Sequence, residues 1–287
     1  MKSIKYFIEY LFIKLLFLIF KLIGYGNASN LGAKIGSIFG PIFRSKKIIK
    51  KNIQNCLPNI SNNDMDNLTV KMWENYGRIF SEYMYIEKFR SKKLEKFINI
   101  KGIEILEKIK REGKPVVFIS GHFNNFELMA MQLELSGIKL SAIYRPLNNF
   151  FLNKTMENLR KNFICKNQIK KGIGGVREII KSFSENNSIA LMIDQRVSEG
   201  DKLLLFNNPT YTTTIPGQLV KKYKCPVVPI YIQRKDKIFF DMIIEDPIYF
   251  GDEENVKSIT QKLNNWLERK ILLNPEQWIW THNKWRL

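Results

Sequence analysis

Two kinds of apolar pattern alternate along the chain, and together they predict an α/β fold. Short runs rich in β-branched and aromatic residues predict buried strands. They lie at 115–120, 140–144, 188–193, 226–232 and 238–244. Longer stretches with an apolar residue at every third or fourth position predict helices. They lie at 65–90, 124–135, 150–162, 174–185, 214–224 and 255–273. Such alternation favours a three-layer α/β domain with a mostly parallel or mixed sheet.

The N-terminal stretch has a different pattern. Residues 7–23 are almost wholly apolar, interrupted by Glu9, Lys14 and Lys21. Since a bilayer-spanning helix needs about 20 apolar residues, this length is borderline. The two lysines are seven residues apart and share one helix face. The pattern predicts a membrane-associated helix that either lies in the membrane at a slant or spans it.

Three glycines and a basic run follow this apolar stretch. Gly32, Gly36 and Gly40 repeat at a spacing of four, which is typical of a smooth helix face for close packing but also compatible with a loop-rich connector. Residues 44–51 then carry five cations, a pattern that suits anionic headgroups. We therefore expect residues 1–45 to form a membrane anchor with a basic juxtamembrane segment, and residues 46–287 to form the main domain.

Charge and cysteine usage narrow the possible partners. Lys and Arg total 46 against 27 Asp and Glu, a net charge of +19. Residues 1–60 hold ten basic and one acidic side chain, a net of +9 beside the most apolar part of the chain. This favours an anionic membrane over nucleic acid, for which no binding module is present. Three widely spaced cysteines indicate a reducing compartment. Two histidines argue against a metal site, and we expect no cofactor.

The strongest chemical signal lies where the first predicted strand ends. His122 follows this strand, and Glu127 comes five residues later. An imidazole beside a carboxylate is the arrangement of a general base. Five residues along one helix turn through about 500°, so the two can meet only if His122 precedes the helix that Glu127 begins. The alternative is a structural histidine that caps the helix.

Other polar residues also follow predicted strands. Arg145 ends one strand, and Asp194 with Gln195 ends another. Because strand ends meet at one edge of an α/β sheet, we expect these side chains near His122. The guanidinium suits a phosphate or a developing oxyanion, although a surface salt bridge is the alternative. Asp194 has the alternative role of a helix N-cap. Gly172, Gly174 and Gly175 predict a tight turn, and a contact with a lipid phosphate is the alternative.

These motifs, taken in order, resemble a known family. Gly121-His122 with Glu127 resembles the His-x4-Asp/Glu motif of membrane acyltransferases. The wider set is similar to the lipid A biosynthesis acyltransferases, the lauroyl and myristoyl transferases of Gram-negative bacteria. The further matching blocks lie at 51–53 with 56–58, 144–149, 172–176, 193–195, 212–216, 225–229 and 275–282. The likeness therefore extends over the whole chain.

The resemblance implies an activity and a set of roles. A fatty acyl group would pass from acyl carrier protein to a hydroxyl of a lipid A precursor, at the cytoplasmic face of the inner membrane. His122 would be the base and Glu127 its partner. The residues implied at the substrate are Arg145, Asp194, Gln195, Asn125 and Gly175. Backbone N–H groups near Asn124 and Asn125, or Arg145, would hold the oxyanion.

Two alternatives and one negative prediction accompany this interpretation. A glycerophospholipid-type acyltransferase would share the His122 motif but use a lysophospholipid or glycerol phosphate acceptor. A non-enzymatic basic membrane-binding protein would explain the N-terminus alone. Ser120 lacks the surroundings of a nucleophile elbow, so transfer is expected to be direct, without an acyl-enzyme. The C-terminal tryptophans, Trp278, Trp280 and Trp285, are predicted to serve packing.

Overall fold

The computed structural model describes residues 2–198 and 200–286. The strands are β1 Ile98–Lys101, β2 Val117–Ser120, β3 Leu140–Tyr144, β4 Asn167–Lys170, β5 Ser188–Met192, β6 Asp201–Leu205, β7 Asn208–Thr212, β8 Val227–Lys235 and β9 Phe239–Ile244. The helices are α1 Lys2–Leu22, α2 Tyr25–Phe43, α3 Lys46–Cys56, α4 Asn62–Glu82, α5 Ile86–Arg90, α6 Ile103–Glu112, α7 Glu127–Leu135, α8 Phe150–Phe163, α9 Ile173–Ser184, α10 Ile215–Tyr223 and α11 Val256–Leu273.

Seven of the strands form one mixed, mostly parallel sheet. Its order is β1-β9-β8-β2-β5-β3-β4. Strands β8, β2, β5, β3 and β4 run parallel to their neighbours in that order. The one antiparallel junction in this sheet joins β8 to β9, and β1 pairs parallel to β9. The predicted mostly parallel or mixed α/β sheet is therefore confirmed, with β2 near its centre.

The central strand is buried on both faces. In β2, Val117 and Ile119 belong to one apolar core with side chains from α3, α4, α9, α10 and α11. Phe118 belongs to a second core, with side chains from α1, α5, α6 and α7. Since alternate residues of a strand point to opposite faces, helices cover both sides of the sheet. The predicted three layers are present.

The pattern of apolar residues located the buried strands but missed the polar ones. All five predicted strands are present. Strand β1 alternates between half-buried and exposed positions, and β4 has a single buried residue. The hairpin β6–β7 turns through Phe206 and Asn207, which both have positive φ, the geometry of a tight two-residue turn. These strands bury too few side chains to give a strong apolar signal.

The glycines of α2 form a packing face, so the connector alternative is wrong. A Cβ added at Gly36 would lie 2.2 Å from the Trp73 carbonyl oxygen, and one at Gly32 would lie 2.3 Å from that of Gly77. Helices α2 and α4 therefore cross with their backbones in contact, and only glycine permits this approach. The break between α2 and α3 falls at Arg44 and Ser45.

Helix α1 lies along the domain and packs on it at several points. Phe17 and Phe20 are buried, and Phe17 contacts the ring of Phe80 at 5.0 Å. Across residues 2–198 and 200–286, no helix combines the length and the apolar character that crossing a bilayer requires. The predicted N-terminal membrane helix is therefore not confirmed by the fold.

Candidate active site

Two adjacent parallel strands deliver the central side chains of the site. Strand β2 pairs with β5 so that Ser120 lies opposite Met192. One further backbone hydrogen bond, from the Ile193 N–H to the Ser120 carbonyl at 2.9 Å, extends the pairing. His122 and Asp194 each follow two residues after this last pair, so they leave the sheet side by side. The predicted meeting of strand ends is realised here.

His122 is bound to Asp194 through both its ring and its backbone. The distance from Nδ1 to Oδ1 of Asp194 is 2.7 Å. The His122 backbone N–H donates to Oδ2 at 2.8 Å. The two bonds fix the imidazole relative to the carboxylate, which is how a third group orients a base in catalytic sites. The family resemblance implies that Asp194 binds substrate. In the structure, Asp194 instead binds the imidazole of His122.

The environment keeps the Asp194 carboxylate ionised. Its side chain is fully buried, and Oδ2 also accepts a hydrogen bond from the indole N–H of Trp278 at 2.8 Å. Burial raises the pKa of Asp194, but the charge of His122 and the hydrogen bonds from His122 and Trp278 outweigh it and lower the pKa to about 2. Because an ionised carboxylate only accepts, Nδ1 holds the hydrogen of this bond, and in the neutral imidazole Nε2 carries the lone pair.

The second ring nitrogen of His122, Nε2, lies beside the side chain of Gln195. The side chain of His122 is 16% exposed. The amide nitrogen Nε2 of Gln195 lies 3.3 Å from the ring Nε2, and the ring of Phe126 packs edge-on at 4.6 Å. Gln195 therefore lies beside the basic nitrogen, as its predicted place at the substrate requires. This arrangement can accept a proton from a bound hydroxyl.

Glu127 has a different partner from the one predicted. Its Oε1 accepts from the Tyr83 hydroxyl at 2.8 Å and from Nε and Nη2 of Arg160 at 2.8 and 2.6 Å. Among the described residues, the carboxylate in contact with the His122 ring is that of Asp194. The two side chains were expected to meet only if His122 lies before the helix that Glu127 begins. This order is present, since Glu127 is the first residue of α7. The carboxylate nevertheless turns to α8, because the largely enclosed guanidinium of Arg160 needs a counter-charge.

The two asparagines after His122 are buried and hydrogen-bonded. The Asn124 backbone N–H donates to the Gln277 carbonyl at 3.2 Å, so this predicted oxyanion donor is already engaged. The Asn124 amide binds the carbonyl of Ile232 and Oε1 of Gln277. The amide of Asn125 donates to Oε2 of Glu82 at 3.2 Å. Both side chains hold the turn in place, and a substrate contact of the Asn125 side chain is not part of this arrangement.

The Glu82 carboxylate at the end of that bond belongs to a buried ion pair that sequence reasoning missed. Arg234 on β8 binds both oxygens of Glu82, at 2.5 and 3.1 Å. Asn75 accepts from Nε of Arg234 at 2.9 Å, and Ser29 donates to Glu82. Buried charges persist only when fully paired. The network therefore ties α2, α4 and β8 to the turn that carries His122.

A cationic pair lies at the ends of β3 and β4. Arg145 follows β3 and is exposed, and the Lys171 backbone N–H donates to the Tyr144 carbonyl at 2.8 Å. Partial burial and the nearby charge of Arg145 lower the pKa of Lys171. Arg145 is thus at the predicted edge, two strands away from His122. This charge can serve an anionic group of a substrate.

Gly175 serves the local structure. A Cβ at this position would lie 2.4 Å from the Lys170 carbonyl oxygen, and the Gly175 N–H donates to the Gly172 carbonyl at 2.9 Å. The predicted tight turn is present as the start of α9, with Gly172 preceding the helix. The substrate role of Gly175 stays a prediction.

The hydroxyl of Ser120 is occupied inside the sheet. Its Oγ donates to the Ile230 carbonyl at 2.7 Å, and the residue is 1% exposed. A buried and bonded hydroxyl is a poor nucleophile. The geometry is consistent with the prediction that transfer does not pass through Ser120.

Comparison with known proteins places these features in one family. The model of the family described as bacterial lipid A biosynthesis acyltransferase matches residues 1–287. Lipid A biosynthesis acyltransferase 2 of Shigella flexneri is 23% identical over 86% of this chain and 80% of its own length. Lipid A biosynthesis lauroyltransferase of Escherichia coli is 22% identical over 98% of this chain and 92% of its own length.

A third relative carries a different acyl name. Lipid A biosynthesis palmitoleoyltransferase of Escherichia coli is 21% identical over 89% of this chain and 84% of its own length. Because the similarity to the lauroyl and palmitoleoyl enzymes is nearly equal, it does not indicate one chain length. The match of the whole chain to the family model confirms the resemblance, and the chain belongs to the bacterial lipid A biosynthesis acyltransferases.

Proposed function

We propose that the protein transfers a fatty acyl group from acyl carrier protein to a hydroxyl of a lipid A precursor, with His122 as general base. The observation that carries the proposal is the His122–Asp194 pair, which engages Nδ1 and leaves Nε2 as the basic nitrogen of a partly exposed side chain. Membership of the lipid A biosynthesis acyltransferases supports the acceptor class. Relatives named for lauroyl and palmitoleoyl transfer support a fatty acyl donor.

The chemistry is direct transfer. Nε2 of His122 removes the proton of the acceptor hydroxyl, and the oxygen attacks the thioester carbonyl. The tetrahedral intermediate collapses to the new ester, and the thiolate leaves and takes the proton back from the imidazolium. Asp194 stabilises that imidazolium through the 2.7 Å bond to Nδ1. The backbone N–H of Asn125 is the proposed oxyanion donor, and Arg145, two strands away, is proposed to bind an anionic group of a substrate.

Glu127 contributes to catalysis without touching the ring in this proposal. Its carboxylate, at the start of α7, is hydrogen-bonded to Arg160 of α8 and to Tyr83 after α4. The preceding residue, Phe126, packs against the His122 ring. Glu127 therefore positions the helix start that supports the imidazole, while Gln195 contacts the substrate beside Nε2.

A lipid acceptor can reach the site from a membrane surface. The outward side of α1 exposes large apolar residues, namely Ile4, Phe7, Ile8, Leu11, Phe12, Leu15, Leu18, Ile19 and Leu22. Its first half contacts the segment after Arg145: Asn149 donates to the Tyr6 carbonyl at 2.9 Å, and the rings of Phe7 and Phe151 lie 5.4 Å apart. The apolar face thus adjoins the edge of the sheet that carries the site.

A second exposed apolar and basic segment follows along the chain, and we propose that it binds the same membrane. Ile38, Phe39, Ile42 and Phe43 are exposed at the end of α2, and the five cations of residues 44–51 follow directly. Lysines beside an apolar surface favour anionic headgroups. We assign the protein to the cytoplasmic face of the inner membrane, with α1 lying in the interface and the main domain toward acyl carrier protein.

The test is acyl transfer by His122→Ala, assayed with acyl carrier protein thioesters and a lipid A precursor. General-base catalysis contributes about 10²–10⁴-fold, so at least about a hundredfold loss is expected. Binding to anionic vesicles is measured alongside and should be unchanged. Activity within about tenfold of wild type would contradict the proposal. A parallel assay with glycerol phosphate and lysophospholipid acceptors checks the acceptor class, and preference for either would contradict it.

A further inference from the structure

The C-terminal segment contacts both loops of the proposed catalytic pair. Gln277 accepts hydrogen bonds from the backbone and the amide of Asn124, two residues after His122. Trp278 donates its indole N–H to Asp194. His282 accepts the Arg196 backbone N–H through Nε2 at 2.9 Å. Three side chains within six residues therefore hold the turns that follow β2 and β5.

The bond from Trp278 is the one that reaches the catalytic carboxylate. Oδ2 of Asp194 accepts from Trp278 and from the His122 backbone, each at 2.8 Å, while Oδ1 faces the ring. Three fixed donors leave a planar carboxylate one orientation. Without the indole donor, Oδ2 would keep one partner in a fully buried site, and rotation about the Cβ–Cγ bond would become easier.

The indole itself is rigidly held. Trp278 is 2% exposed. Its ring packs edge-to-face on Trp280 at 4.8 Å and on Trp285 at 6.4 Å. The tryptophan rings therefore pack together as predicted. Packing does not explain why the N–H of Trp278 is directed to Asp194. A packed donor costs little entropy when it orients another group.

We infer that Trp278 is a positioning residue for the His122–Asp194 pair and holds the Asp194 carboxylate in the orientation that presents Oδ1 to Nδ1. The inference rests on the proposed function, since it assigns Trp278 a part in the same reaction. Loss of this bond should lower kcat with little change in KM, because Trp278 is buried and its N–H is directed to Asp194. A hydrogen bond to a charged group corresponds to about 10- to 100-fold.

The effect on pH dependence has a defined sign. The charged and titratable groups that face Asp194 are His122, Tyr76 on α4, Lys171 after β4, and His282 and Lys284 of the C-terminal segment. These groups stay in place when the indole is replaced. A carboxylate that loses an N–H donor becomes more basic and holds the ring proton more strongly. The acid limb of the kcat/KM profile should therefore move to higher pH.

The experiment compares Trp278→Phe with Trp285→Phe. Both variants lose one buried indole N–H from the same aromatic cluster, but Trp285 donates to the Leu205 carbonyl at 3.2 Å, away from the pair. We expect W278F to lose about 10- to 100-fold in kcat with KM within twofold, and to shift the acid limb upward. W285F should stay within about threefold of wild type and keep the wild-type limb. In an Asp194→Asn background, W278F should cost nothing further.

Equal losses in W278F and W285F, with unshifted pH profiles, would reduce Trp278 to packing and overturn the inference. An additional loss from W278F in the Asp194→Asn background would also overturn it. Circular dichroism confirms folding, and Trp278→Tyr with Trp285→Tyr replaces the pair if W278F does not fold. The His122→Ala assay separates the two levels: if that variant is inactive and W278F matches W285F, the proposed function stands and the positioning role fails.

Discussion

At the residue scale, Asp194 and Glu127 have different hydrogen-bond partners and therefore different roles. Asp194 binds the ring, and Glu127 binds Arg160 and Tyr83. Turning Glu127 toward the ring would leave the Arg160 guanidinium, whose side chain is only 12% exposed, without its counter-charge. The ion pair at Glu127 thus enforces the pairing at His122.

His282 gives the folded protein a defined response to acid. Burial lowers the pKa of His282 to about 4, from an ordinary value near 6.5, and its Nε2 accepts a backbone N–H. Between these values the unfolded chain binds more protons than the folded one, so the free energy of unfolding falls as pH is lowered through this window. At about 1.4 kcal/mol per pH unit, the loss is on the order of 2–3 kcal/mol near pH 4.

His282→Gln should remove this component of acid sensitivity, because glutamine keeps an acceptor and does not titrate. Urea unfolding at pH 7.5 and pH 4.5 measures the difference between wild type and variant. We expect wild type to lose about 2 kcal/mol more than H282Q between the two pH values. Carboxylates such as Asp194 titrate in both proteins and cancel. Parallel losses in the two proteins would show that His282 does not carry the effect.

The sequence predicted where the site residues lie in the fold better than it predicted which side chains they contact. Strand ends at His122, Arg145 and Asp194 follow from apolar runs, and their common edge follows from parallel pairing. Which carboxylate meets the ring depends on β2 and β5 being neighbours in the sheet, although β2 ends at Ser120 and β5 begins only at Ser188. The Trp278 bond was equally invisible, since an indole in an apolar context predicts packing alone.

At the element scale, the crossing of α2 and α4 depends on glycine. Gly36 lies against the backbone of α4, where an added Cβ would meet the Trp73 carbonyl oxygen at 2.2 Å. Gly26 lies in the same helix α2, and its nearest neighbour to an added Cβ is the Ile238 side chain at 3.8 Å. The two glycines lie in the same helix, but only Gly26 has room for a methyl group.

Gly36→Ala should therefore destabilise the protein, and Gly26→Ala should not. Overpacking costs about 1–3 kcal/mol, and more where backbone must move. In an open helix position, alanine gains about 0.5–1 kcal/mol over glycine. Thermal unfolding of the two variants measures the difference. If G36A were as stable as G26A, the close crossing of α2 and α4 would be wrong.

The elements with strong apolar patterns were predictable, and the marginal ones were not. Helices α8 to α11 begin and end within two residues of the predicted bounds. Strand β4 has one buried side chain, so its apolar pattern is too weak to predict a strand. Its backbone pairing with β3 makes it one. The glycine spacing in α2 allowed a packing face or a connector, and the choice required α4 as a partner.

At the scale of the whole molecule, helix α1 with its exposed apolar face contacts the segment that follows β3. The contacts of α1 with Asn149 and Phe151 set the exposed face beside the segment that follows Arg145. Isolated exposed leucines are ordinary in proteins, but a contiguous apolar face flanked by lysines marks an interaction site. Anionic lipid is the partner we propose, because it would match both the apolar and the charged parts of this face.

This surface makes a prediction about membrane binding. Leu11 on α1 and Leu272 on α11 are exposed to 51% and 50%, so each can be replaced by glutamate without burying a charge. Leu11→Glu should weaken binding to vesicles that contain phosphatidylglycerol at least about tenfold, because insertion of one leucine is worth about 1.5–3 kcal/mol. Leu272→Glu adds the same charge away from α1 and should bind like wild type. Sedimentation with vesicles at low and high salt measures both components, since salt screens the lysines and leaves apolar insertion intact. Equal weakening by the two substitutions would assign the effect to net charge and remove α1 as the docking face.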